Sequence, residues 1–165
     1  MTALWRLSNA RDLMPRARPA GRWHGAGAPV IVLEASAAAA VLARLVLAEV
    51  AHPRSLPRHY QLLAVTAPAG SVDQAAAPLR WQTDLRATQV VGDAWLDEGS
   101  SLLLRVPASG GGFQYLLNTA HPDMARCRVA SSAVYPYAPH LGAMAAAVRE
   151  NADWLAPASE AAQRD

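Results

Sequence analysis

Residues 21–50 read GRWHGAGAPVIVLEASAAAAVLARLVLAEV. Gly21, Gly25 and Gly27 space a turn around Arg22, Trp23 and His24. The run Pro29-Val30-Ile31-Val32-Leu33 is apolar, β-branched and bounded by turn residues, which predicts a strand. Ser36 is a good N-cap for the alanine-rich run behind it, so a helix is expected to follow and to end near His52-Pro53. Turn, strand and helix thus stand in one line, with an arginine in the turn.

Outward from this stretch, strands and helices mix without a βαβ rhythm. A short strand is expected over 3–7, then an arginine-rich loop over 8–20. Further on, the pattern predicts strands over 60–66, 101–106, 113–117 and 126–132. A loop is expected over 71–79, a weak helix over 83–96 and a last helix over 139–155. Gly110-Gly111-Gly112 reads as a hinge or tight turn. The expected fold class is α+β, a mixed or antiparallel sheet flanked by helices, rather than a doubly wound parallel sheet. One domain is expected over 1–156, with a frayed tail over 157–165.

Composition narrows the function classes. The chain has 165 residues, 52% hydrophobic and 17% charged, which is globular and long enough to bury a core unaided. All 15 basic residues are arginine, a codon-usage effect first. A net charge of +2 is too weak to argue for direct nucleic-acid binding. The charge is uneven, however: Arg6, Arg11, Arg16, Arg18 and Arg22 face only Asp12 over residues 1–22. That is either a solvated arm or a mouth that attracts phosphate. One cysteine, Cys127, suits a reducing cytoplasm. Neither a signal peptide nor a membrane span is expected.

Three constellations could carry chemistry. In Gly21-Arg22-Trp23 the arginine offers a planar fork that matches phosphate oxygens, and Trp23 either stacks on a ligand or fills the edge of the core. In Asn118-Thr119-Ala120-His121-Pro122-Asp123, His121 is either an acid–base group or part of a tightly fixed turn. Ser109, before the glycine run, lies in no GxSxG elbow. The five histidines show no ligand spacing, so no metal is expected. GxGxxG and GxxxxGK[ST] dinucleotide and phosphate loops do not occur.

Taken in order, these segments resemble a known family. Leu4-Trp5-Arg6-Leu7, Gly21-Arg22-Trp23-His24 with Gly27, and Pro29-Val30-Ile31 before an alanine-rich helix form its first half. Gly92-Asp93-Ala94-Trp95-Leu96, Leu104-Arg105-Val106-Pro107 and Tyr115-Leu116-Leu117-Asn118-Thr119-Ala120-His121-Pro122-Asp123 form its second. The series, over about residues 4–141, resembles the RES domain, the toxin of RES–Xre toxin–antitoxin pairs. The resemblance implies a fold related to ADP-ribosyltransferase toxins. It also implies action on NAD+, by phosphorolysis or by ADP-ribosyl transfer, and an Xre-type helix-turn-helix antitoxin as partner. Self-association is a further family habit.

On that resemblance Arg6 and Arg22 together grip the dinucleotide, and Trp23, His24, Asn118 and His121 belong to the same ligand site. The rest of the pattern departs. The family's strand tyrosine falls on Val32, its helix glutamate on Ala43 and its serine on Ala108. Its two asparagines fall on His24 and Gln114, and its Phe-x-Phe-Asp-x-Arg ending reads Tyr135-Pro136-Tyr137-Ala138-Pro139-His140. Glu34 lies two residues after Val32, hence on the same strand face if the strand continues, and is the only carboxylate close in sequence; Ser109 could take the serine's role through the glycine-rich turn. Two readings therefore stand: an NAD+-consuming toxin with a rearranged site, or a degenerate RES domain that binds nucleotide or protein without turnover. A third is an interaction module built on the C-terminal helix, where Leu141, Met144, Ala145, Val148 and Leu155 recur at helical spacing.

Overall fold

Alternation of buried and open positions organises the chain into strands on both sides of the Gly21 turn. A computed structural model describes residues 1–15, 19–47, 60–109 and 111–135. Strands β1 (Thr2–Ser8) and β2 (Val30–Glu34) precede helix α1 (Ala37–Leu47). Then come β3 (Tyr60–Ala67), β4 (Val72–Gln74), α2 (Leu85–Glu98), β5 (Leu103–Pro107) and β6 (Phe113–Asn118). A 3-10 turn (Pro122–Arg126) and β7 (Arg128–Tyr135) follow. The strands form one sheet in the order β4-β5-β6-β2-β1-β3-β7. Every pairing is antiparallel except β4 with β5, so the sheet is mixed and the class is α+β.

Local signals explain most boundaries. Ser36 caps α1, its Oγ accepting from the Ala39 N–H at 3.1 Å. Asp84 caps α2 through the Ala87 N–H at 2.9 Å, and Gly99 closes it in the left-handed conformation at φ 59°. Helix α2 therefore runs two residues later than expected at both ends. The loop expected over 71–79 contains β4. That strand is three residues of an edge, and only one of them is apolar, so it carries no alternation to read. Its existence comes from backbone pairing with β5, continued by Leu103 N–H to Ser71 O at 2.9 Å and Ala75 N–H to Arg105 O at 3.0 Å. The helix expected over 139–155, the tail over 157–165 and most of the Tyr135–His140 ending lie outside the described residues, as does the end of the first helix at His52-Pro53.

The sheet buries both faces. On one, Ile31 and Leu33 of β2 meet Leu63, Val65, Leu103 and Leu117. On the other, Val30 and Val32 pack with Leu104, Val106 and Leu116 against Trp23 and Trp95. Each such buried side chain contributes about 1.5–3 kcal/mol relative to exposure. Helix α1 sits through Ala40 on Leu7 and Tyr60. Trp5 of β1 lies opposite Glu34 of β2, so the Leu7 and Val32 faces are the same side of the sheet. The helices thus cover two halves of one face: α1 over β1 and β3, α2 over the strands beyond β2.

Between those halves the sheet opens. Strands β1 and β3 pair over seven positions and β2 and β6 over five, but β1 and β2 pair only at Trp5 and Glu34. A cleft follows from that split.

Candidate functional site

The cleft has two connected parts. The first, about 280 Å³, sits in the gap between β1 and β2. Consecutive residues of both strands line it, Arg6 with Leu7 and Val30 with Ile31 and Val32, as only a gap between splayed strands permits. The second, about 570 Å³, lies between the helices. Its walls include Leu42 and Ala43 of α1 and Leu85 and Gln89 of α2; Gln114 and Leu116 of β6 line it too. Gly21, His24, Val32, Glu34 and Ala43 line both parts, so the two are continuous. The larger falls within the 300–1,000 Å³ typical of small-molecule sites.

The Gly21–Gly25 turn forms one wall and is held by α2. The Thr88 hydroxyl donates to the Arg22 carbonyl at 2.6 Å. The Gln89 amide donates to the Gly21 carbonyl at 3.0 Å, and Asp93 accepts from the Gly25 N–H at 2.8 Å. Gly92 lets the helix lie directly on Trp23, since a Cβ there would overlap the Trp23 carbonyl oxygen. Within the turn, a Cβ at Gly21 would strike the His24 ring. These α2 residues hold the turn; Gly92-Asp93 was visible in the sequence as a motif, but its role was not.

The expected site residues divide. Arg22 lines the larger part, and one of its five N–H donors is spent on the Trp81 carbonyl at 2.9 Å. Arg6 lines the smaller part. The two arginines therefore line different parts of one continuous cleft. His24 is buried between the parts, its Nδ1 3.1 Å from the Gly25 carbonyl oxygen. Trp23 touches the larger part but is 1% exposed and stacks on Trp81 at 5.9 Å between centroids, so it is chiefly core. Its indole N–H has no partner among the described residues.

Asn118 and His121 line neither part of the cleft. The Asn118 side chain accepts from the Ala120 N–H at 3.0 Å, an Asx turn. His121 Nδ1 accepts from the Asp123 N–H at 3.1 Å and caps the 3-10 turn. Asn118 shares the strand face of Gln114 and Leu116 but stands at the other end of β6, opposite Val30.

Glu34 and Ser109 do come together on the larger part of the cleft. Glu34 is 6% exposed, and burial pushes its carboxyl up to about 7. Among the described residues no hydrogen bond or ion pair reaches it. An unpaired carboxyl facing a cavity is poised to meet a cation or to move a proton near neutral pH. Ala43, where the resemblance places a glutamate, lines the same space with a methyl group.

Comparison with known proteins fits this geometry. The family described as RES domain matches residues 3–140. A Pseudomonas putida protein named Toxin Res is 35% identical over 133 residues, covering 76% of this chain and 90% of that protein. A chain of the crystal structure of the M. tuberculosis MbcT–MbcA toxin–antitoxin complex superposes with a TM-score of 0.64 at 18% identity. That match covers 85% of this chain and 87% of the other, and it shows a shared fold.

Proposed function

The chain belongs to the RES domain family, a family of toxins, and on that premise we propose that the cleft binds NAD+. The observation that carries the reading is the convergence of Arg6, Arg22, Glu34 and Ser109 on one continuous cavity. Arginines in both parts of the cleft suit an elongated anion, and a dinucleotide diphosphate takes charge-assisted hydrogen bonds from guanidinium forks. The largely apolar walls between them, Leu42, Leu85 and Leu116, suit flat heterocycles. Among the described residues no group of three His, Cys, Asp or Glu side chains could hold a metal ion. The expected test is saturable binding of NAD+ that weakens in Arg22→Ala.

Turnover is the second reading, favoured by Glu34. Cleaving the nicotinamide–ribose bond sends nicotinamide away with the bonding electron pair and leaves positive charge on the ribose carbon. A phosphate oxygen, or a protein nucleophile, then bonds to that carbon. A carboxylate beside it stabilises the charge, and losing such a group commonly costs about a hundredfold or more in rate. Ala43 cannot serve; Glu34, on the adjacent wall, can when ionised. Ser109, which lines the larger part of the cleft, is the hydroxyl proposed to orient the acceptor. Purified protein with NAD+ and phosphate should then release nicotinamide, and Glu34→Gln should not. Release by neither protein leaves NAD+ binding as the whole function, that of a degenerate RES domain.

A cleft lined by two helices also suits coverage by a partner. We place an antitoxin of the helix-turn-helix, Xre type there, in the cytoplasm. The structural neighbour comes from a toxin–antitoxin complex. Co-purification with the product of an adjoining reading frame, together with suppression of toxicity, tests it. The unit acting in this way is proposed to span residues 1–156.

A further inference from the structure

Arg6 does not pair with Arg22, but it does have a cationic neighbour. Arg44 of α1 lines the same small cavity between β1 and β2. Its guanidinium lies over the Tyr60 ring, 5.1 Å from the centroid, a contact that fixes where the side chain stands. Burial and the charge of Arg44 both lower the pKa of Arg6, while Asp12 offsets part of the effect. Glu34 faces this cavity too, yet forms no ion pair with either arginine among the described residues. Two guanidiniums lining one cavity repel each other, with Asp12 offsetting part of that repulsion among the described residues, and an entering anion relieves it. Arginine forks on two sides match the tetrahedral oxygens of a phosphoryl group.

We propose that Arg44 and Arg6 form a phosphoryl-binding subsite at the β1–β2 end of the cleft, distinct from the Arg22 wall. This rests on the NAD+ reading only for which phosphoryl group is bound: the dinucleotide's own diphosphate or a separate inorganic phosphate. Arg44 is a binding residue here, its guanidinium set over the Tyr60 ring.

Calorimetric titration of the full chain with ADP-ribose and with inorganic phosphate tests the subsite. Arg44→Gln is expected to weaken binding of at least one of the two by about tenfold to a hundredfold, the loss of one or two charge-assisted hydrogen bonds. If the diphosphate occupies the subsite, both ligands weaken and phosphate competes with ADP-ribose. If a separate phosphate occupies it, phosphate binds alongside ADP-ribose and phosphate alone weakens. Unchanged affinities for both ligands in Arg44→Gln overturn the proposal while leaving NAD+ binding intact. Wild-type protein that binds phosphate but not ADP-ribose overturns the NAD+ reading and leaves the subsite standing; binding of neither overturns both. Should Arg44→Gln lower the melting temperature, Arg44→Met keeps the stem over Tyr60 and the same comparison decides.

Discussion

Gly92 of α2 lies directly against the carbonyl oxygen of Trp23, with no room for a methyl group between them. The atom in the way is backbone, so rotating a side chain gives no relief. Gly92→Ala must therefore push α2 off the turn that carries Arg22. Overpacking costs about 1–3 kcal/mol and occasionally more. A cost near 3 kcal/mol lowers the melting temperature by roughly 6–12 °C in a domain of this size. Thermal unfolding checks this, and a change under about 2 °C contradicts the contact.

Thr88 acts on the same turn through a hydrogen bond rather than a fit. Its side chain is fully buried, and its hydroxyl reaches the Arg22 carbonyl at 2.6 Å. Thr88→Val keeps the shape and removes the donor, leaving a part-buried carbonyl short of a partner at a cost of about 1 kcal/mol. NAD+ affinity is expected to fall with stability, and Thr88→Ser to restore both. Loss of stability with affinity unchanged would show that the turn binds nothing.

Glu34 sets a pH dependence whose sign is fixed by burial. Its folded-state pKa is raised to about 7, so the folded protein resists ionising it. Below the ordinary glutamate value both states are protonated and Glu34 costs nothing. As pH rises toward 7 the unfolded chain ionises first, and the full penalty, about 3 kcal/mol, applies above 7. Glu34→Gln is expected to raise the melting temperature at pH 8 and leave it unchanged near pH 4. An equal shift at both pH values would assign the effect to packing.

The same ionisation governs chemistry if turnover occurs. Only the charged carboxylate stabilises a cationic ribose carbon. Nicotinamide release should therefore rise with pH through about 7 in the wild type. A flat profile from pH 6 to 8, with release intact in Glu34→Gln, removes Glu34 from the chemistry.

The sheet was legible where alternation is strong. The β-branched run of β2 and the Ser36 cap of α1 lie where the residues place them. Strand β4 escaped because a short polar edge exists only through its partner β5. Within the site, Glu34 was legible because a two-residue period puts it on the face of Val32. Arg44 was not, because inside an alanine-rich run it reads as an interruption of an apolar stretch; only the opening between β1 and β2 gives it a cavity to face. Asn118 and His121 line neither part of the cleft. A block of turn-forming residues looks the same in sequence whatever its role, and the structure shows this one tying its own backbone. Arg6 and Arg22 were legible as an ordered pattern, and they line the two connected parts of the cleft.

Calorimetric titration with NAD+ in phosphate-free buffer, comparing wild type with Arg22→Ala and Arg6→Ala, tests the central claim most directly. Saturable binding to the wild type, weakened about tenfold or more in each variant, is the expected result. Absence of heat and of thermal stabilisation at millimolar NAD+, or affinities equal in all three proteins, would contradict it.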